Sequence, residues 1–151
     1  EVDERYNMEK STEAACRYLN RSYQQYGNWI NVAASYNAGV SGIMRQSELQ
    51  DSRNYFDLLL NDETSRYVYR ILALKLILEN PEKYGFVFTK DDLYELGPTY
   101  VVKVDTAITN IADFALKFDT NYKELKMYNP WLRENKLNNS SGKLYEIKIP
   151  K

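Results

Sequence analysis

The stretch Ala33-Ala34-Ser35-Tyr36-Asn37-Ala38-Gly39 closes an apolar helical pattern and decides the fold class of the first part of the chain. Asn28 has a side chain suited to capping the start of that helix, and Gly39 supplies a stop at its end. Positions i, i+3, i+4 and i+7 are apolar or aromatic and predict one buried stripe: Trp29, Val32, Ala33 and Tyr36. A tyrosine beside an asparagine, followed by the two smallest residues, is more than a helix stop requires.

Helical patterns continue on both sides of this stretch, and the first eighty residues show no strand pattern. Three further helices are predicted: one capped by Ser11 or Thr12 and ended by Gly27, one running over 41–49, and a short one over 54–60. The longest helix opens at Glu63 and stops at Asn80-Pro81. Its predicted buried line is Tyr67, Ile71, Leu74 and Leu78. This part of the chain is therefore predicted to be all-helical.

The pattern changes after Tyr84-Gly85, and 86–98 has the composition of a linker. Beyond it, two strand candidates flank two short helices: Tyr100–Val104, a helix capped by Thr109 or Asn110, a helix capped by Asn121, and Lys143–Ile149. Alternation in the second strand puts Tyr145, Ile147 and Ile149 on one face. We expect that face to meet Ile111, Ala115 and Leu125 from the helices. The prediction is a small βααβ unit with its strands paired antiparallel.

Composition excludes several classes of site. The chain has 151 residues, no histidine, one cysteine (Cys16) and a net charge of −1. Without histidine there is no Ser-His-Asp triad and no His-based zinc site, and a single cysteine excludes an internal disulfide. The charge balance lacks the basic footprint of a nucleic-acid binder. No apolar run is long enough to span a membrane, and we predict no metal and no cofactor.

Four segments in a fixed order resemble the lysozyme-like lytic transglycosylases of murein. AASYNAG is similar to that family's A-Y-N-A-G segment, and Glu63 to Val68 is similar to its E-T-x-x-Y-V segment. Asp3-Glu4-Arg5, followed by Lys10 to Ala15, is similar to the approach to the same helix. Pro81 to Phe86 resembles the close of the domain. The likeness extends to the membrane-bound D-type enzymes, in which LysM modules follow the catalytic domain.

The last fifty residues resemble such a LysM module. Tyr100 to Thr106 is similar to its opening strand and first loop, and Leu144 to Pro150 to its closing strand. Val104 replaces the glycine that is usual before Asp-Thr, and the return loop 133–141 is longer than is typical. The resemblance implies candidate glycan contacts at Asp105, Thr106, Asn129 and Trp131. Trp131 has an equally good alternative role, which is to cover the core of the unit.

The resemblance implies a single glutamic acid as the catalytic group, set in an E-S motif followed by a G-L-M-Q-F type segment. Neither motif is present, so no catalytic residue is assigned in this chain and the acid is expected upstream of residue 1. The chain is expected to begin inside a longer precursor. By the same resemblance, Tyr36 lines the cleft, Asn37 holds backbone or sugar amides there, and Tyr67 hydrogen-bonds the acid. Trp29 and Cys16 are interpreted as core residues.

The predicted fold class is α+β: an all-α lysozyme-like half-domain of the goose-type and transglycosylase kind, followed by a small βααβ LysM-like module. The predicted domains are 1–88, a linker at 89–98, and 99–151. The implied activity is cleavage of the MurNAc–GlcNAc bond with formation of 1,6-anhydro-MurNAc, although a hydrolytic outcome stays open. The 151 residues alone are expected to be inactive. The implied location is the periplasm or the outer membrane, with any membrane anchor outside this chain.

Three interpretations of function compete. The first is the lytic transglycosylase, with peptidoglycan glycan strands as its partner. The second is a non-catalytic glycan-binding protein in which both parts only hold peptidoglycan. The third is a helical interaction scaffold, which leaves the ordered motifs unexplained. If a half-domain is what the chain contains, its cleft face is uncovered, and we expect dimerisation or swapping through that face.

Overall fold

The computed structural model describes all 151 residues, and its contacts divide the chain into two compact units. The helical unit is Ala14–Leu93, and the sheet unit combines Glu1–Glu13 with Tyr94–Lys151. The predicted boundaries at 88 and 99 stay a prediction. The division differs from them in one respect, because it assigns the first thirteen residues to the same unit as the C-terminal strands.

Four helices make up the first part of the chain: α1 (Met8–Tyr26), α2 (Trp29–Ala38), α3 (Val40–Leu49) and α4 (Asp62–Glu79). Short 3-10 turns occupy Glu4–Tyr6, Tyr55–Asp57, Pro81–Tyr84 and Lys90–Asp92. The helix predicted over 54–60 is one of these turns. The start of α1 is earlier than predicted, because the Asn7 side chain accepts a hydrogen bond from the Lys10 amide at 3.1 Å. Asn28 and Asn61 cap α2 and α4 in the same way.

The predicted stripe of α2 is buried at Val32, which is inaccessible, but not at its two aromatic ends. Trp29 is 56% exposed and Tyr36 49%, so the interpretation of Trp29 as a core residue is wrong. The inner face instead consists of Asn31, Val32, Ala34 and Ser35. Two of these are polar, yet both are satisfied: Asn31 donates to the Arg53 carbonyl at 2.8 Å, and Ser35 donates to the Val32 carbonyl at 2.8 Å. Local hydrogen bonds therefore allow a polar face to turn inward.

The predicted buried line of α4 is also wrong. Ile71, Leu74 and Leu78 are 42%, 58% and 76% exposed, and Tyr67 is half-buried. Only Thr64 and Val68 of this helix are buried, because α4 packs on α2 through its first two turns. The apolar side of its later turns is open to solvent within the helical unit. Cys16, predicted to be buried, is exposed on α1.

The sheet unit has the predicted βααβ order. It consists of β1 (Thr99–Val104), α5 (Ile111–Leu116), α6 (Tyr122–Tyr128) and β2 (Tyr145–Pro150). The strands pair antiparallel, from Thr99 opposite Pro150 to Val104 opposite Tyr145. Asn110 and Asn121 cap the two helices through their side-chain oxygens.

The buried apolar residues of the sheet unit form a single core. Ile147 and Ile149 are fully buried and Tyr145 nearly so, as the alternation predicted. They share that core with Ile111, Ala115, Leu125, Trp131, Leu132 and Leu137. The predicted α+β class is confirmed. No helix of the chain is long and apolar enough to cross a membrane.

Candidate functional site

The structure brings together the two motifs of the helical unit. The Asn37 side chain donates to Oε1 of Glu63 at 3.2 Å and accepts from the Thr64 hydroxyl at 2.8 Å. Asn37 lies at the end of α2, and Glu63 and Thr64 lie in the first turn of α4. Because both ends of the amide are engaged, its orientation is defined. The A-Y-N-A-G and E-T segments therefore form one polar cluster.

Thr64 is the buried centre of this cluster, and sequence reasoning did not single it out. It is 2% exposed, and its amide donates to the Asn61 side chain at 2.9 Å. The hydroxyl of Tyr55, which is also buried, lies 2.7 Å from the carbonyl oxygens of both Thr64 and Ser65. Burial raises the pKa of Tyr55, so this phenol stays a neutral donor. Asn61, an N-cap three residues ahead of Thr64, was the available sequence signal.

Tyr36 presents one side of its ring to solvent. Its other side meets the Tyr18 ring edge to face, with 5.6 Å between centroids. The Tyr18 hydroxyl donates to the Ser35 carbonyl at 2.9 Å, which fixes the supporting ring. Tyr36 is thus a half-exposed aromatic surface on a rigid support, next in sequence to the Asn37 cluster.

Gly39 joins α2 to α3 with a single residue. Its φ is +79° and its ψ is 149°, a conformation that residues with a side chain rarely adopt. No atom lies within 4 Å of the position that a Cβ would take. The backbone angle is therefore what requires glycine at this position.

Tyr67 lies one turn beyond Glu63 on the same face of α4, since residues four apart are neighbours on a helix surface. It is half-buried. Arg66 is exposed and lies 4.0 Å from Asp62, an ion pair at the helix start. Tyr67 is therefore a neighbour of Glu63 on the surface of α4, and Glu63 in turn accepts a hydrogen bond from Asn37.

The N-terminal carboxylates have the wrong electrostatics for a catalytic acid. Hydrogen bonds from Lys10 and Lys143 lower the pKa of Glu4, and a hydrogen bond from Lys148 lowers the pKa of Glu9. A general acid needs a raised pKa so that it holds its proton near neutral pH. Glu4 and Glu9 are ionised partners of lysine.

In the sheet unit, the loop between β1 and α5 borders a groove of about 470 Å³. The predicted residues Asp105 and Thr106 are exposed and line it. Asp113 of α5 and Lys117, which follows the helix, line the groove on its helical side, together with the Phe114 ring. The groove has both carboxylate and ammonium groups and an aromatic surface, a combination that suits a neutral polar ligand.

Asn129 and Trp131 lie elsewhere. Asn129 is fully buried; it donates to the carbonyls of Leu125 (2.8 Å) and Lys148 (2.6 Å) and accepts from the Lys148 amide at 2.8 Å. Trp131 is 4% exposed and stacks on Tyr145 with 5.6 Å between ring centroids. These contacts give both side chains a structural role. Their contact with glycan stays a prediction that burial does not favour.

Two family models match separate parts of the chain. Residues 1–59 match the transglycosylase SLT domain, and residues 100–151 match the soluble lytic transglycosylase C-terminal LysM-like domain. The membrane-bound lytic murein transglycosylase D of Escherichia coli K12 is 28% identical over 155 residues, as is that of E. coli O6:H1 strain CFT073. Each alignment covers 99% of this chain and 33% of the relative.

The chain therefore spans about a third of the length of the curated relatives it matches. The matched residues include the Ala33–Gly39 stretch, the Asn37 side of the polar cluster and the whole βααβ core. The resemblance inferred from the motifs is confirmed: the first part of the chain is similar to the transglycosylase SLT domain, and the last part is similar to the C-terminal LysM-like domain of soluble lytic transglycosylases.

Proposed function

We propose that this chain forms part of a peptidoglycan lytic transglycosylase of the cell envelope, in the periplasm or at the outer membrane. The observation that carries the proposal is the Asn37 amide, which joins the two family motifs through Glu63 and Thr64.

The cluster suits the support of a single catalytic carboxyl. Cleavage by one acid requires that the carboxyl protonate the glycosidic oxygen and then accept a proton from the C6 hydroxyl of MurNAc, which closes the 1,6-anhydro ring. Neutral hydrogen-bonding groups can orient such a carboxyl without lowering its pKa through added positive charge. We assign this role to Tyr36 and Tyr67 and assign to Asn37 the positioning of the segment that carries Tyr36. The acid itself is not among the 151 residues.

The groove at Asp105 and Thr106 is the proposed glycan contact of the LysM-like domain. Exposed hydroxyl and carboxylate groups beside Phe114 can hydrogen-bond sugar hydroxyls while the ring packs on a sugar face. Weak binding there is enough, because tethering to the polymer raises the local concentration of the scissile bond. We assign to Asn129 and Trp131 the structural role of stabilising the core of the unit that carries this groove.

The test is a chimera in which these 151 residues replace the matched segment of the E. coli relative. We expect the chimera to release 1,6-anhydromuropeptides from purified peptidoglycan, detected by mass spectrometry. The 151 residues alone should release none. Release by the chain alone would mean that one of its own carboxylates is the acid.

Within the chimera, Tyr67→Phe should lower kcat more than it raises KM, because it removes orientation of the acid without reshaping the cleft. Tyr69→Phe is the matched control, since Tyr69 is exposed on the same helix and should leave both constants unchanged. Equal effects of the two substitutions would count against a role for Tyr67.

A non-catalytic, glycan-binding function is the second candidate, favoured by the groove at Asp105 and Thr106 in the LysM-like part of the chain. Titration of chitin oligomers into the chain separates binding from catalysis. We expect NMR shifts at 105–108 that are lost in Asp105→Ala with Thr106→Ala. A folded chimera that binds glycan and releases no product would favour this candidate.

A further inference from the structure

The loop between β1 and α5 (105–110) is hydrogen-bonded to the return loop of the sheet unit. The Ile108 amide donates to the Leu137 carbonyl at 2.7 Å, and the Leu137 amide donates to the Ile108 carbonyl at 2.8 Å. The Asn139 side chain donates to the Asp105 carbonyl at 2.8 Å. These bonds engage the backbone of the loop, so the exposed Asp105 carboxylate stays available to a ligand in the groove.

Two phenylalanine rings form the helical wall of the groove. The centroids of the Phe114 and Phe118 rings are 5.0 Å apart, and the rings are tilted by 58°. Both side chains are partly buried and pack against the core of the sheet unit. Because the core supports these rings from one side, the groove has a fixed aromatic wall.

Four charged side chains line the same groove, and they form no ion pair with one another. They are Lys103, Asp105, Asp113 and Lys117. Lys117 lies one turn after Asp113, a spacing at which opposite charges can pair, yet these two do not. Lys103 has a loose ion pair with Glu146 at 3.9 Å, in which the side chains are 65% and 64% exposed. The groove therefore offers ammonium and carboxylate groups that a ligand can engage.

These charges indicate more than a neutral sugar as the ligand. A sugar needs hydrogen-bonding groups and a ring face, which Thr106 and Phe114 supply. Covering unpaired ammonium and carboxylate groups with an uncharged ligand costs free energy. Charge-assisted hydrogen bonds are about twice as strong as neutral ones, so a ligand with carboxylates and an amino group suits the groove better. In peptidoglycan, such groups belong to the short peptide attached to MurNAc.

We propose that this groove binds the charged peptide of peptidoglycan together with its sugar. Lys103 and Lys117 bind carboxylates of the peptide, and Asp113 binds its free amino group. Asp105 and Thr106 keep the sugar contact proposed above. The inference rests on the proposed function, since it takes peptidoglycan as the ligand. Exposed ion pairs are individually weak, so these charges provide selectivity for peptide-bearing strands more than affinity.

The test is an NMR titration of the full 151-residue chain with three ligands. They are a disaccharide–tetrapeptide released from peptidoglycan, the same compound with its carboxylates amidated, and a chitin oligomer. At low salt the native compound should bind about fivefold or more tightly than the amidated one, and high salt should reduce the difference. Its shifts should include residues 113–118, whereas chitin should shift only the loop 105–110.

Lys103→Gln with Lys117→Gln should abolish the difference in affinity between the native and the amidated compound. Lys123→Gln with Lys136→Gln is the matched control, since it removes the same charge from exposed positions outside the groove. Asp113→Asn should weaken binding of the native compound and leave binding of its N-acetylated form unchanged. Unchanged NMR signals of the buried core show that each variant is folded.

The outcomes separate this inference from the proposed function. Equal binding of the native and amidated compounds, with chitin still bound at 105–110, would overturn the inference and leave the proposed glycan contact standing. A difference that persists in Lys103→Gln with Lys117→Gln would also overturn it, because the carboxylates would then bind elsewhere. A chain that binds none of the three ligands would overturn the inference and the glycan contact together.

Discussion

The two units of this chain bury their apolar residues to different degrees. In the sheet unit, residues from both strands, both helices and the return loop meet in one core, and Ile147 and Ile149 are inaccessible. In the helical unit, the core cluster has only four buried residues: Ala34, Ile43, Tyr55 and Val68. Its longest helix leaves Leu74 and Leu78 more than half exposed.

The difference shows that the number of residues in a unit does not decide how completely the unit buries its own apolar side chains. The sheet unit pairs strands from its two ends, so each apolar face has a partner within the unit. The helical unit contains more residues, yet the apolar side of the later turns of α4 is exposed within this unit. Its buried contacts are instead rich in polar side chains, including Asn31, Ser35 and Thr64.

The largest expected effect breaks the core of the sheet unit. Ile147→Ala should lower the free energy of unfolding of this unit by about 2–4 kcal/mol, since it leaves a cavity where the side chain is fully buried. Such a loss is a large fraction of the stability of a unit this small. Urea denaturation followed by NMR signals of the sheet unit measures it.

Leu78→Ala is the matched change in the helical unit. Leu78 is 76% exposed, so its truncation should change the free energy of unfolding by no more than about 0.5 kcal/mol. A large loss of stability in Leu78→Ala would mean that another surface covers α4 in solution. The two units would then bury their apolar residues to similar degrees.

The next effect concerns association through the open face of α4. Leu74→Glu with Leu78→Glu should weaken self-association of the chain by about tenfold or more, because exposed apolar patches of this kind favour pairing. Sedimentation velocity over a range of concentrations measures the change. Leu96→Glu with Leu116→Glu is the control, as both residues are exposed in the sheet unit. A parental chain that stays monomeric throughout would contradict the prediction.

Local signals predicted the sheet unit well. Alternation in Tyr145–Ile149 specified which face is buried, and Asn110 and Asn121 marked the helix starts. Alternate side chains of a strand point to one of two faces of the sheet. In a unit with a single sheet only one face is covered by the helices, so the apolar face of the strand must be that one. The order and pairing of the elements followed from these constraints.

The helical unit was predicted less well, for a physical reason. A stripe such as Trp29 and Tyr36 shows that a helix has an apolar side, but the side that is buried depends on which helices are present. Asn31 and Ser35 reach the inside because nearby carbonyls accept their hydrogen bonds, and composition cannot foresee those partners. The same holds at the candidate site, where Asn37 was singled out in advance and Thr64, the threonine of the E-T segment, was not.

A smaller effect tests the buried polar cluster of the helical unit. Tyr55→Phe should lower its free energy of unfolding by about 1 kcal/mol, since the Thr64 and Ser65 carbonyls lose a buried donor. Tyr69→Phe, at an exposed position, should have no measurable effect. Equal effects would show that the hydroxyl of Tyr55 contributes no net hydrogen-bond energy to the unit.

The smallest effect is electrostatic and belongs to the sheet unit. Hydrogen bonds from Lys10 and then Lys143 lower the pKa of Glu4 below its ordinary value of 4.5, and a hydrogen bond from Lys148 lowers that of Glu9. A lowered pKa in the folded state means that these pairs stabilise the unit fully above about pH 4.5. Their contribution is lost as the pH falls through the lower folded-state pKa values.

The Glu9 side chain is exposed and the Glu4 side chain is partly exposed, so the change should be small and should shrink at high salt. The fall in thermal stability of the sheet unit below pH 4.5 should be shallower in Glu4→Gln with Glu9→Gln than in the parental chain. Calorimetry at low and high salt measures both slopes. Identical slopes would show that the ion pairs of Glu4 and Glu9 contribute nothing measurable to the stability of this unit.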